Sequence, residues 1–367
     1  MILGPRLLRM DAITGATALL GHFLTPVRDA VVTLSDGRIA AAGPSSSVQI
    51  PPTASVFDAS GMTLVPGFID CHVHIGFYDP RSLLVNGVTT ARDLAWPPQL
   101  IWPLVESSRA PESGPLLLAA GQMLTAPGGY PMRAAWAPRA TGRVVASPGD
   151  AKQAVAEQAD RGASVIKVAL NPDVGPTLGR STLEAIVAAA RERGLGVTGH
   201  VAGIDELVKA LDAGMDELAH MLMGSDAIPT ELIERMVSQE MAVVPTLSVL
   251  NGAGLRKAVA NLEAFLGAGG KVVYGTDLGN SGPRPGIDRR EVTAMERAGM
   301  TPRDLVAAAT RDAARHLGLH DRGVIAEGMV ADLVALDREQ LERARDLVRV
   351  GAVWRQGISA RGGPGRN

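Results

Sequence analysis

The chain has 367 residues, of which 46% are hydrophobic and 20% are charged, and its net charge is −2. This composition is typical of a globular protein long enough for a well-buried core and more than one domain. The net charge does not indicate a basic surface that would bind nucleic acid. The single cysteine, Cys71, excludes an internal disulfide framework. With no clear export signal and no run of about 18 apolar residues, we expect a cytoplasmic protein without a membrane-spanning helix.

The two ends of the chain are rich in short strand patterns. Residues 29–43 are typical of a hairpin around a Ser-Asp-Gly turn. After about residue 324, strand-like apolar runs return, separated by turns. We therefore predict a small β-sandwich domain built from 1–61 and 324–367, with the segment 62–323 inserted in it. The last residues, 359–367, are expected to be disordered.

Between these ends, short apolar runs alternate with helical patterns. The predicted strands are the eight segments 63–74, 87–94, 115–123, 163–170, 194–200, 215–220, 241–248 and 270–277. Eight strands alternating with helices over 62–323 predict a (β/α)8 barrel of the TIM type, within the α/β class. A doubly wound open sheet is the alternative, but no G-x-G-x-x-G follows the first of these strands.

The segment 181–194 illustrates the helical pattern. Ser181 and Glu184 are expected to form a capping box, and Gly194 stands where a C-terminal cap is expected. The apolar stripe of this helix comprises Leu183, Ile186, Val187 and Ala190. This spacing predicts a helix with one buried face.

Two histidines close the first predicted strand of the barrel. Residues two apart in a strand face the same side, so His72 and His74 project together, whereas Cys71 faces the opposite way as a packing residue. The active sites of such barrels lie at the carboxyl ends of the strands. Because imidazole is a common metal ligand, the pair predicts half of a metal site.

Four further candidates lie on other predicted strands. His200, His220 and Asp277 each close a strand, and Lys167 lies within the apolar run 163–170. Burial favours the neutral amine of a lysine, which can add carbon dioxide to become a carbamate, an anion able to bridge two metal ions. Each residue alone also fits a structural role, such as a hydrogen-bonded core histidine, a lysine reaching the rim or an aspartate capping a turn. Their joint placement favours a metal site.

This pattern resembles the metal-dependent amidohydrolase superfamily, in particular its prolidase-like and imidazolonepropionase-like branch. The resemblance is carried, in order, by PGFIDCHVH at 66–74, the lysine in VIKVAL, TGH at His200, LAH at His220 and YGTD at Asp277. The run GVIAEGMVADLVALD at 323–337 is similar to the family's closing segment. The resemblance implies a distorted barrel combined with a β-sandwich made from both chain ends.

The resemblance also implies a binuclear metal centre. The implied ligands are His72, His74 and Asp277 for one divalent ion, His200 and His220 for the second, and carboxylated Lys167 as a bridge together with a hydroxide. Zinc is favoured because imidazole suits it, and manganese, iron or cobalt also fit. Our mechanistic hypothesis is that the hydroxide attacks a polarised amide carbonyl, while Asp277 acts first as base and then as acid.

The sequence departs from prolidase-like relatives after the third barrel strand. Those relatives often have Gly-Gly-His, whereas this chain has Tyr130 in the place of the histidine. The Gly- and Pro-rich segment 124–140 also carries Arg133, which could clamp a substrate carboxylate over the barrel mouth. Tyr130 and Arg133 are therefore candidate substrate-binding residues, with an ordinary surface loop as the alternative.

The sequence predicts a hydrolase that cleaves an amide or peptide C–N bond in a small dipeptide-like, N-acyl or modified-peptide substrate, including a tailoring enzyme for peptide natural products. A mononuclear cyclic-amide hydrolase or deaminase is the alternative. Lys167 argues against it, and HVAG at 200–203 lacks the glutamate of purine-type deaminases. A catalytically inactive scaffold is disfavoured because all six ligand positions are present. The resemblance also suggests a homo-oligomer.

Overall fold

The computed structural model describes residues 11–222 and 227–362, which adopt an α/β fold. The first strands are Asp11–Leu20 (β1), Thr25–Ser35 (β2), Arg38–Pro44 (β3), Ser55–Asp58 (β4), Thr63–Pro66 (β5), Phe68–Val73 (β6), Val88–Asp93 (β7), Leu116–Ala119 (β8), Met123–Thr125 (β9) and Gly142–Val144 (β10). The later strands are Ile166–Leu170 (β11), Val197–Val201 (β12), Glu217–Leu218 (β13), Ala242–Val243 (β14), Lys271–Val272 (β15), Leu333–Leu336 (β16), Val350–Arg355 (β17) and Ile358–Arg361 (β18).

Ten α-helices are found in the described part of the chain. They are Pro80–Leu84 (α1), Pro98–Ser107 (α2), Pro148–Ala159 (α3), Arg180–Glu192 (α4), Ile204–Ala213 (α5), Thr230–Ser238 (α6), Gly252–Gly267 (α7), Arg289–Arg297 (α8), Pro302–Ala308 (α9) and Arg311–His316 (α10). Within these described residues, each helix is too short or too polar to cross a membrane.

Strands from both ends of the chain share one sheet of eight strands. Its order is β18-β17-β16-β5-β1-β2-β3, and β4 pairs with β1. The predicted hairpin is confirmed, because β2 and β3 are antiparallel and Ser35 pairs with Arg38. Asp36 and Gly37 connect them with φ values of +50° and +77°, which suits the tight turns of twisted hairpins. Many apolar side chains of this sheet form a core of their own, whereas others, such as Val65, Val334 and Leu336, belong to the main core.

The prediction of disorder at the end of the chain is wrong for residues 359–361. They belong to β18, which pairs with β17 in a second hairpin. Gln356 and Gly357 form the turn with φ values of +48° and +71°. The edge of β17 therefore supplies backbone hydrogen bonds to residues 359–361, and the composition of the tail does not reveal this pairing. The rest of the predicted tail, 363–367, and the first ten residues lie outside the described part of the chain.

The predicted strand 63–74 is two strands in two different sheets. β5 pairs with β1 and β16 in the sheet of the chain ends, although it was expected in the inserted segment. β6 pairs with β7 instead. The break lies at Gly67, where an added Cβ would lie 2.2 Å from Thr89 Oγ1. A glycine is required there because the backbone passes so close to the next strand.

The other strands are parallel and form two sheets. Their orders are β6-β7-β8 and β10-β9-β11-β12-β13-β14-β15. Backbone hydrogen bonds join the sheets at both edges, from Ser164 N to Ala119 O (2.9 Å) and from Cys71 N to Tyr274 O (2.9 Å). Each of the seven remaining predicted segments contains an observed strand, although β13, β14 and β15 have only two residues each. These strands carry the candidate site at their carboxyl ends.

Helix α4 shows which local signals hold in the folded chain. Its predicted stripe of Leu183, Ile186, Val187 and Ala190 is buried. Gly194 follows its end with a φ of +68°, as expected for a C-terminal cap. The predicted capping box is wrong. The helix begins one residue before Ser181, and Gly179, which has no side chain to offer, is its N-cap.

Candidate metal centre

His72 and His74 lie at the carboxyl end of β6, and both are buried. Their Nδ1 atoms face backbone carbonyls, at 2.8 Å from Ala219 O and 3.2 Å from Ala95 O. These contacts assign the protons to Nδ1 and leave lone pairs on both Nε2 atoms. The Nε2 atoms lie 3.2 and 3.1 Å from Asp277 Oδ1. The structure therefore brings three predicted ligands onto one point.

His200 and His220 come from neighbouring strands and form the second group. His200 Nδ1 lies 3.0 Å from His220 Nε2. The outer nitrogens have partners, since Asn171 Nδ2 is 3.1 Å from His200 Nε2 and Thr246 Oγ1 is 2.8 Å from His220 Nδ1. The ring centroids of His220 and His72 are 4.8 Å apart. Both groups thus lie side by side in one buried site.

Burial favours the neutral imidazole at three of the four histidines of this site, His72, His200 and His220. Burial lowers the pKa of His200 to about 3 and is also the main reason that the pKa of His72 and of His220 lies well below its usual value. For His74, burial is outweighed by the Asp277 carboxylate, which raises its pKa overall. Neutral imidazole is the form that binds metal ions.

Lys167 is on β11 and is 1% exposed. Its Nζ has no hydrogen-bond partner among the described residues. Burial lowers the pKa of Lys167 to about 7, although Asp277 and Glu217 oppose this shift. A large share of this amine is therefore neutral near pH 7, which is the state that carbamate formation requires.

The donor atoms fit a metal ion. The buried atoms without a hydrogen-bond partner in the described residues include His72 Nε2, Asp277 Oδ1 and Lys167 Nζ. His72, His220 and Asp277 each offer one ligand atom, and these three atoms lie within 4.8 Å of one another. Two atoms bound at 2.0–2.1 Å to a tetrahedral ion are about 3.3 Å apart, close to the distances in both groups. Unpaired polar atoms are costly in a buried site, and a bound cation would satisfy them.

Asp277 is held in a strained position. Its φ is +55°, an uncommon value for a residue other than glycine, with a typical cost of about 1–3 kcal/mol. Asp277 N donates to His72 O at 2.8 Å, and Asn280 Nδ2 donates to Asp277 Oδ2 at 2.7 Å. These contacts fix the carboxylate beside His72 and His74. Strain of this kind is typical of functional sites.

Asp70, which we did not predict as a site residue, joins β6, which carries His72, to the segment after β15, which carries Asp277. Its carboxylate accepts hydrogen bonds from His72 N (3.0 Å), Thr276 N (3.1 Å) and Thr276 Oγ1 (2.7 Å). Burial raises its pKa to about 7. The period of two that groups His72 and His74 includes Asp70, so a signal for it was present in the sequence.

A buried ion pair lies elsewhere among these strands. Arg92 Nη2 is 2.7 Å from both carboxylate oxygens of Glu217, and Arg92 Nε donates to Cys71 O at 2.9 Å. His316, on α10, also contacts Glu217 through Nε2. Burial alone would raise the pKa of Glu217, but Arg92 and His316 together hold it below its usual value. No sequence signal connects His316, on α10, to this strand.

The two candidate substrate-binding residues have different positions. The ring of Tyr130 is 4.8 Å from that of His200, and its hydroxyl accepts a hydrogen bond from Trp136 Nε1 at 3.0 Å. Arg133 is exposed and makes no hydrogen bond or ion pair with the histidines in the described residues. The structure thus places Tyr130 beside His200, whereas Arg133 lies at the surface.

Glu291, in the first turn of α8, is buried behind the site. Its Oε2 accepts a hydrogen bond from Ser248 N at 2.6 Å, and its Oε1 has no partner within the described residues. Burial raises the pKa of Glu291 to about 8, although backbone hydrogen bonds oppose the shift. The carboxyl group is therefore protonated in the folded protein at neutral pH.

This proton makes stability depend on pH. In the unfolded chain Glu291 titrates near its usual pKa of 4.5, so its contribution is complete below that value and is lost as pH rises to about 8. Glu291→Gln stays neutral and should remove this loss, which has a slope of at most about 1.4 kcal/mol per pH unit. In urea unfolding, the stability of the variant relative to wild type should increase from pH 5 to pH 8. Exposed Glu263→Gln is the control, and an equal difference at both pH values would contradict the buried proton.

The parallel α/β fold and the buried His, Lys and Asp groups at its strand ends define a hydrolase with a candidate metal site. The model of the amidohydrolase family matches residues 63–357, and the chain belongs to this family. The resemblance inferred from the sequence is thereby confirmed.

Similar proteins support the same class. Ochratoxinase of Aspergillus niger is 29% identical, over 86% of this chain and 79% of its own length. A putative prolidase from Bifidobacterium longum superposes with a TM-score of 0.82 at 25% identity, covering 98% of this chain and 96% of that one. A Xaa-Pro dipeptidase with bound methionine has a TM-score of 0.84 at 20% identity, covering 95% and 99%. The chain is thus an enzyme that hydrolyses C–N bonds.

Proposed function

We propose that this chain is a binuclear metal-dependent hydrolase that cleaves the amide or peptide bond of a small dipeptide-like, N-acyl or modified-peptide substrate. The observation that carries the proposal is that His72 Nε2, Asp277 Oδ1 and Lys167 Nζ are all buried without a hydrogen-bond partner in the described residues. Besides burial, the charge of Lys167 lowers the pKa of His72. Similarity to prolidase-like proteins supports the substrate class. The two joined parallel sheets support a closed (β/α)8 barrel, and the shared sheet of the chain ends supports a composite second domain.

The residues group as two ligand sets with a bridge. His72, His74 and Asp277 would hold one ion, since their donor atoms are 3.1–3.2 Å apart. His200 Nδ1 and His220 Nε2 would hold the second. Lys167, carboxylated on its neutral amine, would supply the anion between them. Zinc is the favoured metal because four of the ligands are imidazoles.

The chemistry requires a proton acceptor beside the reacting atoms. When bound, the metal ions supply an acidified water and polarise the substrate carbonyl. Asp277 would accept a proton at its carboxylate and later pass it to the leaving nitrogen. Asn280 orients this carboxylate through Oδ2. Asp70 holds His72 and the residue before Asp277 together by accepting hydrogen bonds from His72 N and Thr276 N.

Metal removal and a substrate panel test this proposal. Protein treated with a chelator should lose hydrolysis of dipeptides and N-acyl amino acids, and added zinc or manganese should restore it, because the proposed centre activates the water. The panel also contains a cyclic imide and an aminopurine. Turnover of only those two compounds would favour the mononuclear alternative. Full activity after metal removal would contradict the proposal.

A further inference from the structure

We propose that an aromatic wall beside the metal centre is a subsite for a neutral aromatic group of the substrate, next to the bond that is cleaved; this rests on the proposed function. The chain contains only five Phe, four Trp and three Tyr residues. The wall consists of Phe77, Trp96, Tyr130 and Trp136. A chain so poor in aromatic residues thus concentrates a third of them at one place.

The wall is continuous and is built from three loops. Phe77 follows β6 and Trp96 follows β7, and their rings are in edge contact with centroids 4.8 Å apart. Tyr130 and Trp136 lie between β9 and β10, with ring centroids 6.1 Å apart. Phe77 and Trp136, at 6.4 Å, connect the two pairs. All these separations lie within the range of favourable aromatic contacts.

The wall contacts both ligand groups. The ring of Trp136 is 4.9 Å from that of His74, and the ring of Tyr130 is 4.8 Å from that of His200. We therefore expect a substrate bound at the metal centre to contact these rings. Both rings belong to the segment between β9 and β10, so one loop brings an aromatic ring to each ligand group.

Phe77 presents an apolar face to the outside. It is 43% exposed, whereas Trp96 beneath it is 5% exposed. An added Cβ at Gly76 would lie 2.0 Å from Trp96 Cε2, so the indole packs directly on the glycine backbone. This packing supports Phe77 from below. An aromatic ring that is exposed to water is unfavourable in the free protein. A ligand ring that packs against it would bury this apolar surface and so gain binding free energy.

Two further apolar side chains are exposed on the segments after β9 and β11. Met132 is 45% exposed and Val174 is 52% exposed, on the segments that follow β9 and β11. The two segments touch, since a Cβ at Gly175 would lie 2.7 Å from Gly128 O. We infer a neutral group instead of a cation, because two divalent ions outweigh the Asp277 and carbamate charges beside the wall.

Matched substrates test the subsite. One series is N-acetylated phenylalanine, leucine, alanine and lysine; the other is alanine carrying a benzoyl or an acetyl group. In one of the series, kcat/KM for the aromatic member should exceed that for its smallest analogue by roughly tenfold or more. A preference in the first series would place the wall on the amine side of the amide bond. A preference in the second series would place it on the acyl side.

Variants connect this preference to the wall. Phe77→Ala and Trp136→Ala should each reduce the ratio of aromatic to small substrate at least about threefold, with metal content unchanged. Trp136→Phe keeps a ring and should retain most of the ratio. Phe23→Ala is the matched control, since Phe23 is 79% exposed in the turn between β1 and β2 and should leave the ratio unchanged.

The outcomes separate this inference from the proposed function. If metal-loaded protein hydrolyses no amide in either series, the proposed function fails. If amides are hydrolysed without an aromatic preference, with a preference for lysine, or with a ratio that survives both alanine substitutions, only the subsite is overturned.

Discussion

Lys167→Ala is expected to lower bound metal from about two ions per chain to one or fewer, and kcat/KM for amide substrates by roughly a thousandfold. The alanine removes the bridging anion. The two metal ions then lose the negative charge that lies between them, and the neutral histidines cannot replace it. Lys167 is the only lysine among the predicted ligands, and its amine is buried without a partner within the described residues. Metal content by plasma mass spectrometry and steady-state kinetics measure both effects.

The matched control is Lys152→Ala. Lys152 is exposed and pairs with Glu192 at 3.4 Å on the helical surface, so metal content and activity should stay unchanged. Carbon NMR of wild type equilibrated with labelled bicarbonate should show one carbamate signal, which the Lys167 variant lacks. About one metal ion per chain in both wild type and variant would contradict the bridged centre and favour the mononuclear alternative.

Asp277→Asn is expected to reduce kcat by about 10³–10⁴-fold while the protein remains folded. Asparagine keeps the shape of the side chain but cannot take up the proton that the reaction requires. The backbone bond from Asp277 N to His72 O is unaffected by the substitution. The melting temperature should therefore change little, and KM should change less than kcat.

Asp160→Asn is the control for this loss, because Asp160 is an exposed partner of Arg193. Metal content must be measured in both variants, since Asp277 is also a predicted ligand. An Asp277→Asn variant that retains its metal and more than about a tenth of wild-type kcat would remove Asp277 from the role of acid and base.

Local periodicity accounts for most of the elements that the sequence predicted. The stripe of Leu183, Ile186 and Val187 predicted the buried face of α4. The capping box at Ser181 failed because the N-cap lies two residues earlier, at Gly179, a position that local propensity does not specify. Strand 63–74 was predicted as one strand because its apolar run continues across the break at Gly67. Only pairing with β1 and β16 separates β5 from β6.

The site shows the same division. A period of two placed His72 and His74 together, and an apolar run marked Lys167 as buried. Sequence gave no such indication for Asn171 and Asn280, which come from loops, or for the wall formed by Phe77 and Trp136. These residues meet because separate loops end at one side of the parallel strands.

By itself, the sequence determined the family, the α/β class, the order of strands and helices, and the residues most suited to binding metal. Each of these depends on spacing within a short stretch of chain or on motifs that recur in order. The tertiary structure decided that β5 joins the sheet of the chain ends, that His316 reaches Glu217, and that Tyr130 lies beside His200 whereas Arg133 is exposed. Such contacts join residues up to hundreds of positions apart, and they depend on packing and backbone pairing that no local pattern contains.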